Sequence, residues 1–273
     1  MQNVKNSLVL FDVDGTLTES RQMISKDMIE ALRELSHTTE IGLLTGSGLE
    51  YIKEQLWPLF ADREISINCH VLPCNSTEYY IPNPDSPGSF IEIFRTSMED
   101  KVGFEKFQLI MKTIISQQAK IAEADYDIPF TGHHFQNRGS MINWSPIGRN
   151  ANNGSRQQFI AMDKTYQIRS RHINMFRRLM LDEGAEDVVI KLGGDTSFDI
   201  YPAGWDKTFA LKHFPESDWD VIFVGDRCGP NGNDHELYEH LRRQERSFET
   251  SGPEETIEII DTYINKLLGD LDD

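Results

Sequence analysis

The sequence is poor in three features, each typical of a particular class of protein. Cysteine occurs three times in 273 residues, too few for a disulfide-stabilised scaffold of this length. Basic residues number 27 against 44 acidic ones, and the formal charge of −17 argues against binding to nucleic acid or an anionic membrane surface. The longest apolar runs span only a few residues, whereas a membrane-spanning helix requires ~20. Because no hydrophobic signal core follows Met1, we expect a cytoplasmic protein.

The negative charge is unevenly distributed along a chain whose 38% hydrophobic content is that of a globular protein. Between Thr131 and Arg178 there are eight basic residues and one acid, Asp163. This stretch therefore carries +7 and the remaining residues carry −24. The sequence thus indicates an acidic part and a basic part with different roles.

The first third of the chain alternates strand-like and helix-like segments. Leu8–Phe11 is a short apolar run, as in a buried parallel strand, and Ser25 can cap a helix with apolar residues at helical spacing. Ile41–Leu44 and Ile65–Leu72 have the pattern of further strands. This alternation predicts an α/β fold with a doubly wound parallel sheet.

Turn residues interrupt this alternation at Pro82–Gly88, and the order of elements then changes. A long helical pattern and separate strand-like segments follow, which predicts an α+β insert with an antiparallel sheet. The strand-like segment Asp220–Val224 then resembles the strands of the first third of the chain. We therefore predict a catalytic core domain of residues 1–88 and 204–273, interrupted by a cap domain of residues 89–203 that binds substrate.

Acidic residues stand where two of the predicted strands end. Asp12 and Asp14 follow the first strand, and Asp226 follows the last. A lone Asp-x-Asp is most often a turn or a solvated loop, but carboxylates at neighbouring strand ends form an oxygen-rich site suited to Mg²⁺. The combination therefore predicts a magnesium site at one edge of the sheet.

These motifs resemble those of a known enzyme superfamily. The segment Phe11–Thr18 is similar to the first signature of the haloacid dehalogenase superfamily. Thr45 resembles the second signature and Lys207 the third. Asp226, with Asn233 and Asp234, resembles the fourth. Within that superfamily the chain resembles the eukaryotic-type phosphomannomutases, in a divergent form. The segments that carry this closer resemblance are Asn143–Arg149, Ser197–Lys207 and Gly232–Glu236.

The resemblance implies roles for the core residues. Asp12 would be the nucleophile that becomes an aspartyl-phosphate, and Asp14 would be the general acid and base. Mg²⁺ would be held by Asp12, the main-chain carbonyl of Asp14 and Asp226. Thr45 would hydrogen-bond a phosphoryl oxygen, and Lys207 would place positive charge beside Asp12.

The resemblance also implies how the substrate is held. Arg138 and Arg149 would bind the distal phosphate of a small phosphosugar, and Ser197 and Asp199 would contact phosphate and sugar hydroxyls. Arg21 would reach the substrate when the cap closes. The family's first cap arginine falls on Thr131, which cannot supply that charge.

The implied activity is a phosphohexomutase that interconverts mannose 1-phosphate and mannose 6-phosphate, with glucose phosphates as a further substrate pair. The reaction would pass through a hexose bisphosphate, with hexose 1,6-bisphosphate as activator, within GDP-mannose biosynthesis. The family also implies a homodimer formed through the cap. Two alternatives stay open at this point: a sugar-phosphate phosphatase of the same fold and a non-catalytic sugar-phosphate sensor.

Overall fold

The computed structural model describes residues 5–230 and 232–272, and the chain divides into two compact units. One unit contains the residues up to Arg95 and those from Trp205 onward, and the other contains Thr96–Gly204. The predicted boundary at residue 89 differs from this division by seven residues. The reason is that Phe90–Arg95 forms an antiparallel pair with Glu78–Pro82 in the sheet of the first unit, instead of beginning the insert.

The first unit, the core unit, is built on a seven-stranded sheet with the strand order β11-β10-β1-β2-β3-β4-β5. Strands β11 to β3 in this order are parallel, and β4 and β5 add an antiparallel hairpin at one edge. Its strands are β1 (Asn6–Phe11), β2 (Glu40–Leu44), β3 (Cys69–Leu72), β4 (Glu78–Pro82), β5 (Phe90–Arg95), β10 (Trp219–Gly225) and β11 (Ser247–Glu249). Its helices are α1 (Lys26–Ser36), α2 (Leu49–Ala61), α3 (Arg63–Ser66), the 3₁₀ helix Lys207–Lys212, α8 (His235–Arg242), α9 (Pro253–Ile259), the π segment Ile260–Ile264 and α10 (Asn265–Asp272).

Strand β1 shows why this sheet is covered on both faces. Leu8 and Leu10 belong to one apolar cluster and Val9 and Phe11 to another, because successive side chains point to opposite faces. All four are completely buried. Helices α1 and α2 contribute to one cluster and α8 to the other, so the predicted doubly wound α/β fold is confirmed.

Helix α1 begins where its sequence predicts. The Ser25 side chain accepts a hydrogen bond from Met28 N at 3.1 Å, as an N-cap residue does. The predicted strand Ile65–Leu72, in contrast, is only half right. Asp62 caps the short helix α3 by accepting from Glu64 N, and the strand begins at Cys69.

The second unit, the insert unit, has a four-stranded antiparallel sheet with the strand order β6-β7-β9-β8. Its strands are β6 (Phe135–Asn137), β7 (Ile142–Trp144), β8 (Val188–Gly193) and β9 (Ser197–Pro202), and its helices are α4 (Met98–Val102), α5 (Phe104–Glu123), α6 (Asn153–Tyr166) and α7 (Ile168–Asp182). One face of the sheet, which includes Ile142, Ile190 and Ile200, packs in an apolar cluster with α5 and α7. The opposite face is polar.

The polar face is organised by one row of side chains across all four strands. The strand register places Gln136 opposite Asn143, Asn143 opposite Asp199, and Asp199 opposite Lys191. Residues in one such row lie on the same face of a sheet. The insert unit therefore presents a continuous hydrogen-bonding surface on the face that the helices do not cover.

All three cysteines lie in the interior of the core unit. Cys69, Cys74 and Cys228 are all buried, and none of them forms a disulfide bond. Burial raises the pKa of the Cys69 thiol well above its usual value, so this side chain remains a protonated apolar group at neutral pH.

Among the helices described, none is both long and apolar enough to cross a membrane.

Buried His172 is expected to make the insert unit sensitive to acid. Burial, together with the charge of Lys120, lowers the pKa of His172 to about 4. The unfolded chain, with the ordinary value, therefore binds this proton below about pH 6.5, whereas the folded chain does not. We expect the free energy of unfolding to fall by up to about 2 kcal/mol between pH 7 and pH 5 through this residue.

Urea denaturation at both pH values checks this expectation. The variant His172→Gln should lose that part of the pH dependence, whereas His37→Gln, at an exposed histidine on the core unit, should keep it. Equal pH dependence in wild type and His172→Gln would show that His172 titrates normally.

Candidate active site

Two carboxylates meet at one edge of the core sheet because of the strand topology. Asp12 directly follows β1 and Asp226 directly follows β10. These strands are parallel neighbours, and Asp12 N donates a 2.9 Å hydrogen bond to Val224 O. With Asp234, the two carboxylates form a cluster in which one ligand atom of each lies within 4.8 Å of the others.

Lys207 compensates much of the negative charge of this cluster. Its Nζ donates to both Asp12 Oδ1 and Asp234 Oδ1, and its side chain is completely buried. Burial alone would lower the pKa of Lys207, but the charges of Asp12 and Asp234 outweigh burial and raise it. Burial raises the pKa of Asp12, and the ammonium group opposes this shift. Lys207 therefore remains charged and favours the ionised form of Asp12.

Asp234 is the residue of this cluster whose position the sequence did not predict. Besides its ion pair with Lys207, its Oδ2 accepts a 2.9 Å hydrogen bond from Arg227 N. It is completely buried, at the start of helix α8. Asp234 is part of the motif after β10, so the sequence indicated that it belongs to the site. The spacing of the motif does not show whether such a residue pairs with Lys207 or binds a metal ion.

The donor set around Asp12 and Asp226 fits a magnesium ion. Three carboxylates face the ammonium group of Lys207 and the partly exposed guanidinium of Arg227, 3.7 Å from Asp226 Oδ2, which leaves an excess of negative charge. Among the described residues, Asp226 Oδ1 and Asn233 Oδ1 are buried and accept no hydrogen bond. Hard oxygen donors with uncompensated charge are the ligands that Mg²⁺ prefers. Asp12 and Asp226 would hold the ion, with the main-chain carbonyl of Asp14 that the resemblance implies. Lys207 contacts Asp12 at Oδ1, whereas both carboxylate oxygens of Asp234 are engaged, by Lys207 and by Arg227 N.

Gly15 makes room for Asp226. Its φ of +87° lies in the left-handed region, and a Cβ atom at this position would overlap Asp226 Oδ2. Gly225 has a similar role toward the buried aspartate, since a Cβ there would lie 2.7 Å from Asp234 Oδ2. The approach of the loop after β1 to Asp226 therefore depends on glycine at position 15, and the return of the segment after β10 to place Asp234 depends on glycine at position 225.

The side chain of Asp14 lies apart from the three clustered carboxylates and is directed to helix α2. Its Oδ1 accepts hydrogen bonds from Tyr51 Oη at 3.1 Å, Gln55 Nε2 at 3.4 Å and Arg21 N at 3.0 Å. Burial, followed by the charge of Asp14, raises the pKa of Tyr51 to about 12, so that its hydroxyl is a donor at neutral pH. No sequence pattern distinguishes Tyr51 and Gln55, which occupy ordinary helix positions.

Arg21 enters this arrangement through its main chain. It has a φ of +63°, and the side chain predicted to reach the substrate is exposed. Its amide instead anchors Asp14, a contact that no sequence pattern indicated. The predicted role of the guanidinium group stays a prediction.

Thr45 is held by a turn of left-handed residues. Its Oγ1 accepts from Ser47 N at 3.1 Å, which leaves the hydroxyl hydrogen for another acceptor. Its carbonyl accepts from Asn75 N at 2.8 Å, and Asn75 Nδ2 donates to Trp205 O. The three consecutive residues Cys74–Ser76 all have φ between 53° and 63° and are buried. This turn ties the end of β2 to the segment that carries Lys207.

The four residues of the insert unit that were predicted to bind the substrate lie on or beside its polar face. Asn143, which the sequence analysis quoted only as part of a motif, is at their centre. Its Nδ2 donates to Asp199 Oδ1 at 2.7 Å and to Ser197 Oγ at 3.2 Å, and its Oδ1 accepts from Arg149 Nη1 at 2.7 Å. Asn143 thus brings together three of the four predicted residues.

The fourth residue, Arg138, is placed by the turn after β6. Its amide donates to Met141 O and its Nε donates to Gln136 Oε1 at 3.4 Å. Thr131, where the resemblance implies an arginine, donates its hydroxyl to Ile147 O at 2.8 Å. This threonine therefore has a main-chain partner on the loop that leads to Arg149.

Comparison with known proteins identifies the family. The family model described as eukaryotic phosphomannomutase matches residues 28–266. The chain belongs to the eukaryotic phosphomannomutase family. Phosphomannomutase 2 of Dictyostelium discoideum is 33% identical over 97% of this chain and 100% of its own length. The phosphomannomutase of Schizosaccharomyces pombe is 35% identical over 92% of this chain and 91% of its own length. The resemblance found in the sequence is confirmed, and this phosphomannomutase family is one of enzymes.

Solved structures support the fold assigned to this phosphomannomutase family member. An IMP-nucleotidase of Plasmodium falciparum superposes with a TM-score of 0.65 and 14% identity, over 96% of this chain and 68% of the other. Trehalose-6-phosphate phosphatase of Aspergillus fumigatus gives a TM-score of 0.54 and 12% identity, over 96% and 93%. At these identities the similarity concerns the fold alone, and it supports the α/β fold described above.

Replacement of Gly15 tests whether the approach to Asp226 matters. We expect Gly15→Ala to displace Asp226, to raise the Mg²⁺ concentration needed for half-maximal activity by about tenfold or more, and to lower phosphoryl transfer about 100-fold. Mg²⁺ titration of activity and thermal unfolding measure these effects. Gly103→Ala is the matched control, because Gly103 has a φ of +83° but no atom within 4 Å of its Cβ position. Similar losses in both variants would assign the effect to backbone strain alone.

Proposed function

We propose that this chain is a Mg²⁺-dependent phosphohexomutase that interconverts mannose 1-phosphate and mannose 6-phosphate, and glucose phosphates as a further pair. The observation that carries the proposal is the position of Asp12, ion-paired with buried Lys207 at the end of β1. Its relatives are named phosphomannomutases, which points to the same reaction. The proposed intermediates are an aspartyl-phosphate and a hexose bisphosphate.

The charges around Asp12 support its role as nucleophile. A carboxylate must be ionised to attack a phosphoryl group, and the ammonium group of Lys207 favours that form. The same positive charge would attract the oxygens of an incoming phosphate. When bound, Mg²⁺ would neutralise charge on the transferring phosphoryl group.

Asp14 has the surroundings of a group that moves a proton. It stands two residues after Asp12, and its side chain is directed to other partners, so its role differs from that of the nucleophile. We propose that Asp14 protonates the leaving sugar oxygen and deprotonates the hydroxyl that attacks in the return step. Thr45, with a hydroxyl hydrogen not used by Ser47, would donate to a phosphoryl oxygen.

The polar face of the insert unit supports recognition of an anion. Arg149 is oriented by Asn143, and Arg138 lies beside the same strands. Guanidinium groups match the geometry of phosphate oxygens. We propose that these arginines bind the phosphate that is not being transferred, and that Ser197 and Asp199 contact phosphate and sugar hydroxyls.

Other implications of the family stay proposals for this chain. They are activation by hexose 1,6-bisphosphate, a cytoplasmic location, a place in GDP-mannose biosynthesis and a homodimer formed through the insert unit. Kinetics with added hexose 1,6-bisphosphate would measure activation, and imaging of the tagged protein would show its location. Light scattering of the purified protein would show whether it is a dimer.

The product ratio tests the proposal directly. With mannose 1-phosphate, Mg²⁺ and catalytic hexose 1,6-bisphosphate, we expect mannose 6-phosphate to exceed free phosphate. Asp12→Asn should abolish turnover because the amide cannot attack phosphorus, with a loss of at least about 1,000-fold. Asp220→Asn is the control, because Asp220 is also ion-paired, to Arg246, but lies at the opposite end of β10. Predominant release of free phosphate would favour the phosphatase, and normal turnover of Asp12→Asn would exclude Asp12 as nucleophile.

A second experiment tests the insert unit. Arg149→Ala should raise the KM for mannose 1-phosphate by about 10–100-fold, the effect of one charged hydrogen bond. It should change hydrolysis of acetyl phosphate less than about twofold, because that substrate has no second anionic end. Arg177→Ala, on α7 in the same unit, is the matched control, since Arg177 donates to Ile190 O from an exposed helix position. Equal losses on both substrates would contradict a role in binding the sugar phosphate.

A further inference from the structure

Helix α2 presents two side chains to the carboxyl group of Asp14. Tyr51 and Gln55 are four residues apart and so lie on one face of the helix, near its beginning. Both donate to the same oxygen, Asp14 Oδ1, and Arg21 N donates to it as well. A carboxylate oxygen that accepts three donors is held in both position and orientation.

The amide group of Gln55 is itself oriented. Thr18 Oγ1 donates to Gln55 Oε1 at 2.9 Å, so the amide nitrogen is the atom that faces Asp14. Thr18 and Gln55 are both buried, at 2% and 4% exposure, so water does not compete for this contact. Tyr51 is different, because it is half-buried and belongs to neither apolar cluster of the core unit.

The three donors distinguish the two oxygens of Asp14. Each hydrogen bond found on this carboxyl group within the described residues goes to Oδ1, and each favours negative charge on that oxygen. A proton on Oδ1 would compete with all three donors. Oδ2 is therefore the oxygen of Asp14 that these contacts leave available for proton transfer.

We propose that Tyr51 is a positioning residue for phosphoryl transfer: its hydroxyl, together with Gln55, holds Asp14 Oδ1 so that Oδ2 carries the transferred proton. The proposal rests on the function proposed above. As the bond between phosphorus and the sugar oxygen breaks and the bond to Asp12 forms, the proton passes from Asp14 Oδ2 to the sugar oxygen. The return step reverses each of these changes.

Comparing two substrates with different leaving groups distinguishes a role in proton transfer from a merely structural role. A sugar oxygen must be protonated as it leaves, whereas the acetate of acetyl phosphate leaves without a proton. Tyr51→Phe removes only the hydroxyl group and should lower kcat with mannose 1-phosphate about tenfold or more, with KM changed less than about twofold. With acetyl phosphate, the rate at which Asp12 is phosphorylated in a single turnover should stay within about twofold. Steady-state hydrolysis is not used, because the water that attacks the aspartyl-phosphate must itself lose a proton.

Tyr80→Phe is the matched control. The Tyr80 hydroxyl also contacts a carboxylate, Glu78 Oε2 at 2.8 Å, but in the hairpin of β4. We expect this variant to retain wild-type rates with both substrates. Thermal unfolding of both variants shows whether either substitution disturbs the core unit.

The remaining outcomes overturn the proposal or separate it from the proposed function. An unchanged kcat of Tyr51→Phe with mannose 1-phosphate, or equal losses with both substrates, would overturn the role of Tyr51. If the wild type releases phosphate from mannose 1-phosphate without forming mannose 6-phosphate, the mutase proposal fails. The role of Tyr51 is still tested in that case, because departure of the sugar oxygen is common to both reactions. A wild type that accepts a phosphoryl group from neither substrate would overturn both.

Discussion

The ion pairs of Lys207 with Asp12 and Asp234 are the interaction on which the rest of the core unit depends. Three carboxylates meet at the edge of a sheet whose strands are apolar on both faces, where unpaired charges would be strongly unfavourable. One ammonium group between two of them reduces their mutual repulsion, and Asp226 has the partly exposed guanidinium of Arg227 at 3.7 Å. The three carboxylates still outnumber these two cations, and the same arrangement that allows the fold to hold acidic residues leaves oxygen donors suited to a cation.

The hydrogen bonds around Asp14 and those around Asn143 share one feature. In each network, a side chain is fixed by protein groups at some of its polar atoms, and other polar atoms stay available to a ligand. In the core unit, Asp14 is anchored through a single oxygen. In the insert unit, Asn143 uses its amide to fix Asp199 and its carbonyl to orient Arg149. A side chain fixed in this way loses little conformational entropy when a ligand binds. Orientation before binding is thus a property of both units, although their folds are unrelated.

The sequence could predict those features that depend on local pattern and on strand topology. The apolar run of β1, the cap at Ser25 and the convergence of Asp12 with Asp226 all follow from such patterns, and the structure has them. The contacts of Tyr51 and Asn143 could not be predicted, because they depend on which face of an element meets which loop. The boundary near residue 89 was misplaced for a related reason: turn residues mark a reversal of the chain, whether the next strand stays in the same sheet or leaves it.

The pairing of β1 with β10 has a consequence for biosynthesis. Asn6 pairs with Trp219, so these two neighbouring strands of the core sheet join segments that are far apart in the sequence. During synthesis one side of β1 can pair early with β2, whereas the other side has no strand partner until β10 has been made. The insert unit is continuous in sequence and can complete its contacts earlier. Until β10 has been made, the unpaired edge of β1 is the kind of strand edge through which unfinished chains associate.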